Sequence, residues 1–416
     1  MRNIRRPDVS PAGAPHLRRT LTLPWLVFYG VGVTVGAGIF ALIGEILRLA
    51  GDKAPLSFLI AGAIAGATGL SYALLVKRFP RAGGEAVFVN RGLGHGWGRI
   101  VGYGVAATGI VSSAVIALAF VGYVQALLPV PGWLLLVGLI SLLSAIAWVG
   151  VRESVTFAAV ITCIEIGILL VVIAFGVPLM SDAPKIASAF TPPGDAALIG
   201  AILSASVIAF FAFIGFEDIE NMAEETIDPE TASPRAVFWT LGITVVIYVL
   251  LAVIAVLAPD RAAITGSSAP LAVLFEQITG LPGAPVAAGA AIAMINGILV
   301  QIVMASRVLY GMAREGIAPR WFGAVDARRH TPARATLTVA ALILLLALAF
   351  PLVRLAELTS LVTLGVFTLV NLSLFALGRK LDDPGLARFR WWGAFAALLC
   401  IGIAVFQLSS GLAGGH

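Results

Sequence analysis

Charge is scarce in this sequence: only 12% of its 416 residues are Asp, Glu, Lys or Arg. That is about half of what a soluble domain carries, and it leaves too little polar surface to cover a water-facing globule. Cysteine is nearly missing. Cys163 and Cys400 both lie inside apolar runs, which speaks against a disulfide framework or a thiolate metal cluster. His16, His95, His330 and His416 are scattered through the tail, loops and terminus, so no metal site is expected. There is no Walker or dinucleotide loop, and the glycines between Gly92 and Gly98 follow no strand, which argues against a phosphate loop. No nucleophile–base pair is visible. The chain is therefore expected to be no enzyme, to carry no cofactor and to bind no nucleic acid.

What is abundant is apolar sequence, 59% of the chain, with a mean hydropathy of +1.00. It comes in runs of about 20 residues, and at about 1.5 Å per helical residue such a run matches the roughly 30 Å hydrocarbon core of a bilayer. Backbone groups in lipid need internal partners, so the runs are helices or barrel strands. They lack the alternation of a strand, and the expected fold class is all-α integral membrane. Eleven spans are predicted, at 24–47, 55–76, 100–127, 132–150, 155–178, 197–224, 234–258, 284–312, 336–351, 355–378 and 391–412.

The first 23 residues are basic, with Arg2, Arg5, Arg6, Arg18 and Arg19. The apolar run that follows is too long for a signal-peptide core and no small-residue cleavage site is evident, so 1–23 reads as a retained cytoplasmic tail. With that tail inside, 22 of the 27 basic residues face the cytoplasm, and Arg48, Lys53, Lys185, Arg261 and Arg354 make up the five outside. This is the asymmetry expected of a multi-pass protein of the cytoplasmic membrane. It also accounts for the net charge of +5. An odd number of spans puts the C-terminus outside.

Spans 1 and 6 are unusual in the same way. Span 1 carries Gly30, Gly32, Gly36 and Gly38, and span 6 carries Gly215 followed by Glu217, Asp218, Glu220, Glu224 and Glu225. Interrupted spans at matching positions of two halves point to an inverted-repeat transporter with a midplane site. The repeats would be 24–178 (spans 1–5) and 197–378 (spans 6–10), with 391–412 as a peripheral span 11. No residue-level repeat links the halves, so this rests on spacing.

Gly36, Ala37 and Gly38 suit a helix break whose exposed N–H groups meet an anionic group, although small residues also serve tight helix packing. Glu217 and Asp218 within an apolar run are costly there, and such residues mark ion or substrate paths. The alternative is a position at the inner interface, where they are simply solvated. Glu165 sits about ten residues from the inner end of span 5, about 15 Å deep, with no basic residue within a helical turn. A carboxyl at that depth suits proton loading and release, or else a permanently protonated packing role. Asn296 and Gln301 either touch substrate or bond across helices, and Phe211 and Phe213 either stack on substrate or fill core.

These residues together give the chain a resemblance to the amino acid–polyamine–organocation transporter superfamily. The likeness is carried by Gly32-Val-Thr-Val-Gly-Ala-Gly-Ile-Phe40 and by Leu70-Ser-Tyr-Ala through Gly84. Phe210-Phe-Ala-Phe-Ile-Gly-Phe-Glu217 through Pro229, and Ala305-Ser-Arg-Val-Leu-Tyr-Gly through Arg320, complete it. The resemblance implies a leucine-transporter-like 5+5 inverted repeat with broken spans 1 and 6. It implies that backbone at Gly36, Ala37, Gly38 and Ile39 holds a substrate carboxylate. Carbonyls around Phe211, Phe213 and Ile214 would hold its amino group, with an aromatic there as gate. Glu217 falls at a position linked to proton-dependent gating, and Gln301 near a substrate-facing one. Many relatives carry a lysine where this chain has Glu165, which reverses the local charge; Glu165 would carry the coupling proton or help Ser306 bind a cation such as sodium. Relatives commonly have twelve spans rather than eleven.

The expected function is a secondary active transporter of amino acids or related amines by alternating access, coupled to a proton gradient. An exchanger without ion coupling is the nearest alternative, and a non-transporting substrate sensor the alternative of another class. Sequence leaves the substrate and the oligomeric state open.

Overall fold

The computed structural model describes residues 19–80, 84–150, 155–326, 328–329, 331–381 and 383–413. The tail up to residue 18, Ala82 and Gly83 of the loop motif, and His16, His330 and His416 lie outside the described residues.

Helices occupy all eleven expected segments. Span 1 is split into Leu23–Thr34 and Ala37–Ala50. Span 2 is Ala54–Arg78, joined to span 1 by the single turn Gly51–Lys53. Span 3 is His95–Gln125, span 4 Gly132–Val149 and span 5 Val155–Gly176. Span 6 is split into Ala196–Phe211 and the 3₁₀ helix Phe216–Glu225. Span 7 is Pro229–Leu257, span 8 Ala284–Arg314, span 9 Ala333–Ala349, span 10 Leu352–Lys380 and span 11 Pro384–Ala413. Among the described residues, nine helices are long and apolar enough to cross a membrane by length and composition. One of these is the 42-residue stretch Ala37–Arg78, which contains two of the segments. The first half of span 1 and span 9 are shorter apolar helices.

Boundaries moved where polar residues continue a helix beyond the hydrocarbon. Span 11 starts at Pro384 because proline at the first helical position costs no hydrogen bond, and the Asp383 carboxylate accepts from the Gly385 and Leu386 N–H groups. Span 7 starts at Pro229 for the same reason and carries Pro234 in its interior. Between the spans lie short helices: Gly84–Leu93 after span 2, Ala183–Phe190 after span 5, and Arg261–Thr265 with Pro270–Thr279 after span 7.

Span 2 packs on span 7 and span 3 on span 8, while span 4 meets span 9. The first half of span 1 lies on span 7, and the first half of span 6 on span 2. Span 5 meets span 8, and span 10 meets span 3. Burial follows this order. The apolar windows of spans 4, 5 and 11 are only 28–33% buried, against 56–67% for the other membrane-length helices. Chains of Leu, Val and Trp left uncovered on a helix of that length suit contact with lipid rather than water.

A cavity at the two helix breaks

Span 1 stops at Thr34 because two residues then leave the helical conformation: Val35 has ψ 6° and Gly36 ψ −152°. Its second half restarts at Ala37, so the first N–H groups of a new helix open beside the break, without intrahelical acceptors. Span 6 stops at Phe211, runs through one turn, and reverses at Gly215 with φ +123°. A Cβ on Gly215 would lie 2.9 Å from the Val33 carbonyl oxygen, and one on Gly38 would lie 2.7 Å from Ala212 Cα. The two breaks therefore touch each other, and only glycine permits the approach.

Interruption leaves carbonyls without helical partners, and buried carbonyls need them. Tyr248 of span 7 supplies both. Its hydroxyl, fully buried, shares its hydrogen between Thr34 O at 3.0 Å and Ala212 O at 2.8 Å, the ends of the two broken segments. Phe213 packs edge-on against the same ring, with centroids 5.2 Å apart. In span 6 the Phe211 carbonyl takes the Ile214 N–H at 3.2 Å. The Phe213 and Ile214 carbonyls accept no backbone hydrogen bond among the described residues.

A cavity of about 150 Å³ opens at this junction. Gly36, Ala37 and Gly38 line it from span 1, Phe211 and Ile214 from span 6, and Gln301 from span 8, all of them expected there. Asn296 of span 8 and Glu165 of span 5 complete the anticipated wall. Glu165 is only 4% exposed, and among the described residues no hydrogen-bond donor or basic side chain meets its carboxyl. The arrangement offers helix N–H groups to an anion, span 6 carbonyls to a cation, and a lone carboxyl beside both.

Three expected residues do not line the cavity with their side chains. Ile39 is fully buried in the apolar core, so only its backbone is at the break. Phe213 is fully buried against Tyr248 and Phe58-side packing, so it braces the break rather than lining the cavity. Ser306 donates to Ile302 O at 2.7 Å and lines a separate small hollow with Arg307 and Thr331. Ser306 and Glu165 therefore line different hollows.

Glu217 is not at this cavity but just beyond it. Its carboxylate accepts the Gly215 N–H at 2.9 Å and lines a second hollow of about 30 Å³, together with Asp218 and Glu85. Ile214 and Gln301 line both hollows and form their common wall. Glu85 belongs to the short helix after span 2, outside the spans, and burial pushes its carboxyl above the usual glutamate range. Sequence reading missed Tyr248, Glu85, Ser112 and Thr162 at these sites; the polar pair Ser112 and Thr162 in apolar runs was the available signal.

Residues 26–409 match the family described as amino acid permease. A protein of Mycobacterium bovis described as an uncharacterized transporter is 32% identical over 386 residues, 92% of this chain and 85% of its own. A branched-chain amino acid permease of Bacillus subtilis is 26% identical over 398 residues, 89% of this chain and 83% of its own. A cationic amino acid transporter of Arabidopsis thaliana, described as mitochondrial, is 29% identical over 384 residues, 86% of this chain and 62% of its own. With an all-helical membrane architecture and a cavity between two broken helices, the chain belongs to the amino acid permease family of transporters.

Proposed function

We propose that the chain is a secondary active transporter that moves amino acids by alternating access, coupled to protons, with Glu165 as the proton carrier. The observation that carries this is the unpaired Glu165 carboxyl on the wall of the cavity formed by both breaks. Substrate carboxylate would bind the Ala37 and Gly38 N–H groups, and substrate ammonium the Phe213 and Ile214 carbonyls. Closing the cavity around an ionised carboxylate strips it of water at high cost, so the closed, loaded state favours Glu165 carrying its proton. Glu217, bonded to the reversal at Gly215, would act on the gate beneath. A sodium site shared by Glu165 and Ser306 has less support, because Ser306 lines a different hollow.

The repeat assignment, 24–178 with 197–378, is supported by packing. Exchanging span numbers by five maps the contact of span 1 with 7 onto that of 6 with 2, and 5 with 8 onto 10 with 3. Contacts of 2 with 7, 3 with 8 and 4 with 9 map onto themselves. The basic-residue asymmetry supports an N-terminus in the cytoplasm and residence in the cytoplasmic membrane.

Uptake of labelled amino acids into proteoliposomes tests the coupling. An imposed inward proton gradient is expected to drive accumulation, and Glu165→Gln to abolish that dependence while exchange persists. Accumulation indifferent to both the gradient and the mutation would reject the proton role.

A further inference from the structure

The 30 Å³ hollow beneath the cavity is chemically lopsided. Three carboxyl groups line it, from Glu85, Glu217 and Asp218, and among the described residues no Lys, Arg or His does. Each is at least 91% buried, and Glu85 is 7% exposed. Among the described residues, none of the three takes part in an ion pair. Glu217 has the Gly215 N–H, and Asp218 a long contact of 3.4 Å from the Asn221 amide. The Tyr72 hydroxyl and the Glu220 carboxyl both face the Glu85 carboxyl, and Glu220 is only 2% exposed behind it. Glu220 presses against Gly84, the residue before Glu85, where a Cβ would collide with its carboxyl.

Buried acceptors in such excess are costly unless protons or a cation join them. The hollow also adjoins the substrate cavity. It shares Ile214 and Gln301 with the substrate cavity, and the Gln301 Oε1 atom in that wall is itself buried with no partner. An acceptor in the wall between the two hollows and a set of carboxylates beyond it suit a positively charged group on a flexible stem.

We propose that this hollow is a side-chain subsite, and that it takes the distal ammonium of a lysine-like amino acid whose α-carboxylate and α-amino group sit at the two breaks. The assignment rests on the transporter reading above and adds its substrate class. A small hollow of about 30 Å³ walled by carboxyl groups suits the compact point charge of an ammonium with three rotatable donors better than a broad planar guanidinium with five. Three carboxylates line the hollow and can each accept one ammonium hydrogen. The stem passes between Ile214 and Gln301, whose side chains turn to admit it.

The test is uptake of labelled L-lysine and L-leucine by the full chain in proteoliposomes, with competition by ornithine and arginine. Glu85→Gln and Asp218→Asn are measured alongside, with monodisperse elution as the folding check. Lysine and ornithine are expected to outcompete arginine, and either variant to raise the lysine KM at least tenfold relative to that of leucine. The second variant keeps the test open if the first fails to fold. A parallel change for lysine and leucine would mean a gating or structural role and overturn the subsite. Leucine transport with no lysine transport or competition would also overturn it, leaving the transporter reading intact. Arginine outcompeting lysine would reject the ammonium assignment. Transport of no amino acid would reject the transporter reading itself and the subsite with it.

Discussion

Glu165, Tyr248 and Glu85 have different visibility for one reason: how far away their partners lie in the chain. Glu165 was legible because a carboxylate inside an apolar run is anomalous on local grounds alone. Tyr248 was not, since an aromatic in an apolar helix is ordinary. Its role comes from carbonyls 214 and 36 residues away that share its hydroxyl. Removing that hydroxyl leaves two buried carbonyls short of a donor, at about 1–3 kcal/mol. Tyr248→Phe is therefore expected to lower thermal stability in detergent and to weaken substrate binding, both measurable by ligand-dependent melting. An unchanged melting point with and without substrate would count against the bracing role.

At the scale of elements, the two breaks decide the site. Glycine density and the acid run marked spans 1 and 6 as unusual, but not where each helix stops. Their contact was not legible either, because Gly38 against Ala212 and Gly215 against Val33 are meetings between segments far apart in sequence. Gly215→Ala tests it. The positive φ is costly for a residue with a Cβ, by about 1–3 kcal/mol, and the added carbon would crowd the Val33 carbonyl. Uptake is expected to fall at least tenfold with span packing retained, seen as intact monodisperse elution. Wild-type uptake in this variant would show that the tight approach of the breaks is dispensable. The ten-residue 3₁₀ helix that follows, Phe216–Glu225, is longer than that conformation usually sustains. It carries Glu217 and Asp218 into the second hollow, which no helical-wheel reading of span 6 would have produced.

For the whole molecule, orientation is the property the sequence states most directly and the tertiary structure least. The basic asymmetry predicts that Lys185, 71% exposed at its side chain, faces outward and Arg328, exposed in the loop before span 9, faces inward. In a background lacking Cys163 and Cys400, a membrane-impermeant maleimide applied to intact cells is expected to label Lys185→Cys and not Arg328→Cys. The opposite pattern would invert the topology and, with it, the side on which the acidic hollow lies.

Sequence by itself determined the fold class, the positions of the eleven helical segments and the two that break. These follow from runs of apolar residues against a solvent of fixed thickness and from glycine within those runs, both local properties. Tertiary structure alone decided which of the candidate residues share a cavity. It put Gly36, Gly38, Glu165 and Gln301 together, set Ser306 apart, and brought Glu85 from a loop helix beside Glu217 and Asp218. The physical reason is that a binding site is a set of distances between helices, fixed by how their side chains interlock across the bundle, and that packing leaves no mark on any one stretch of chain.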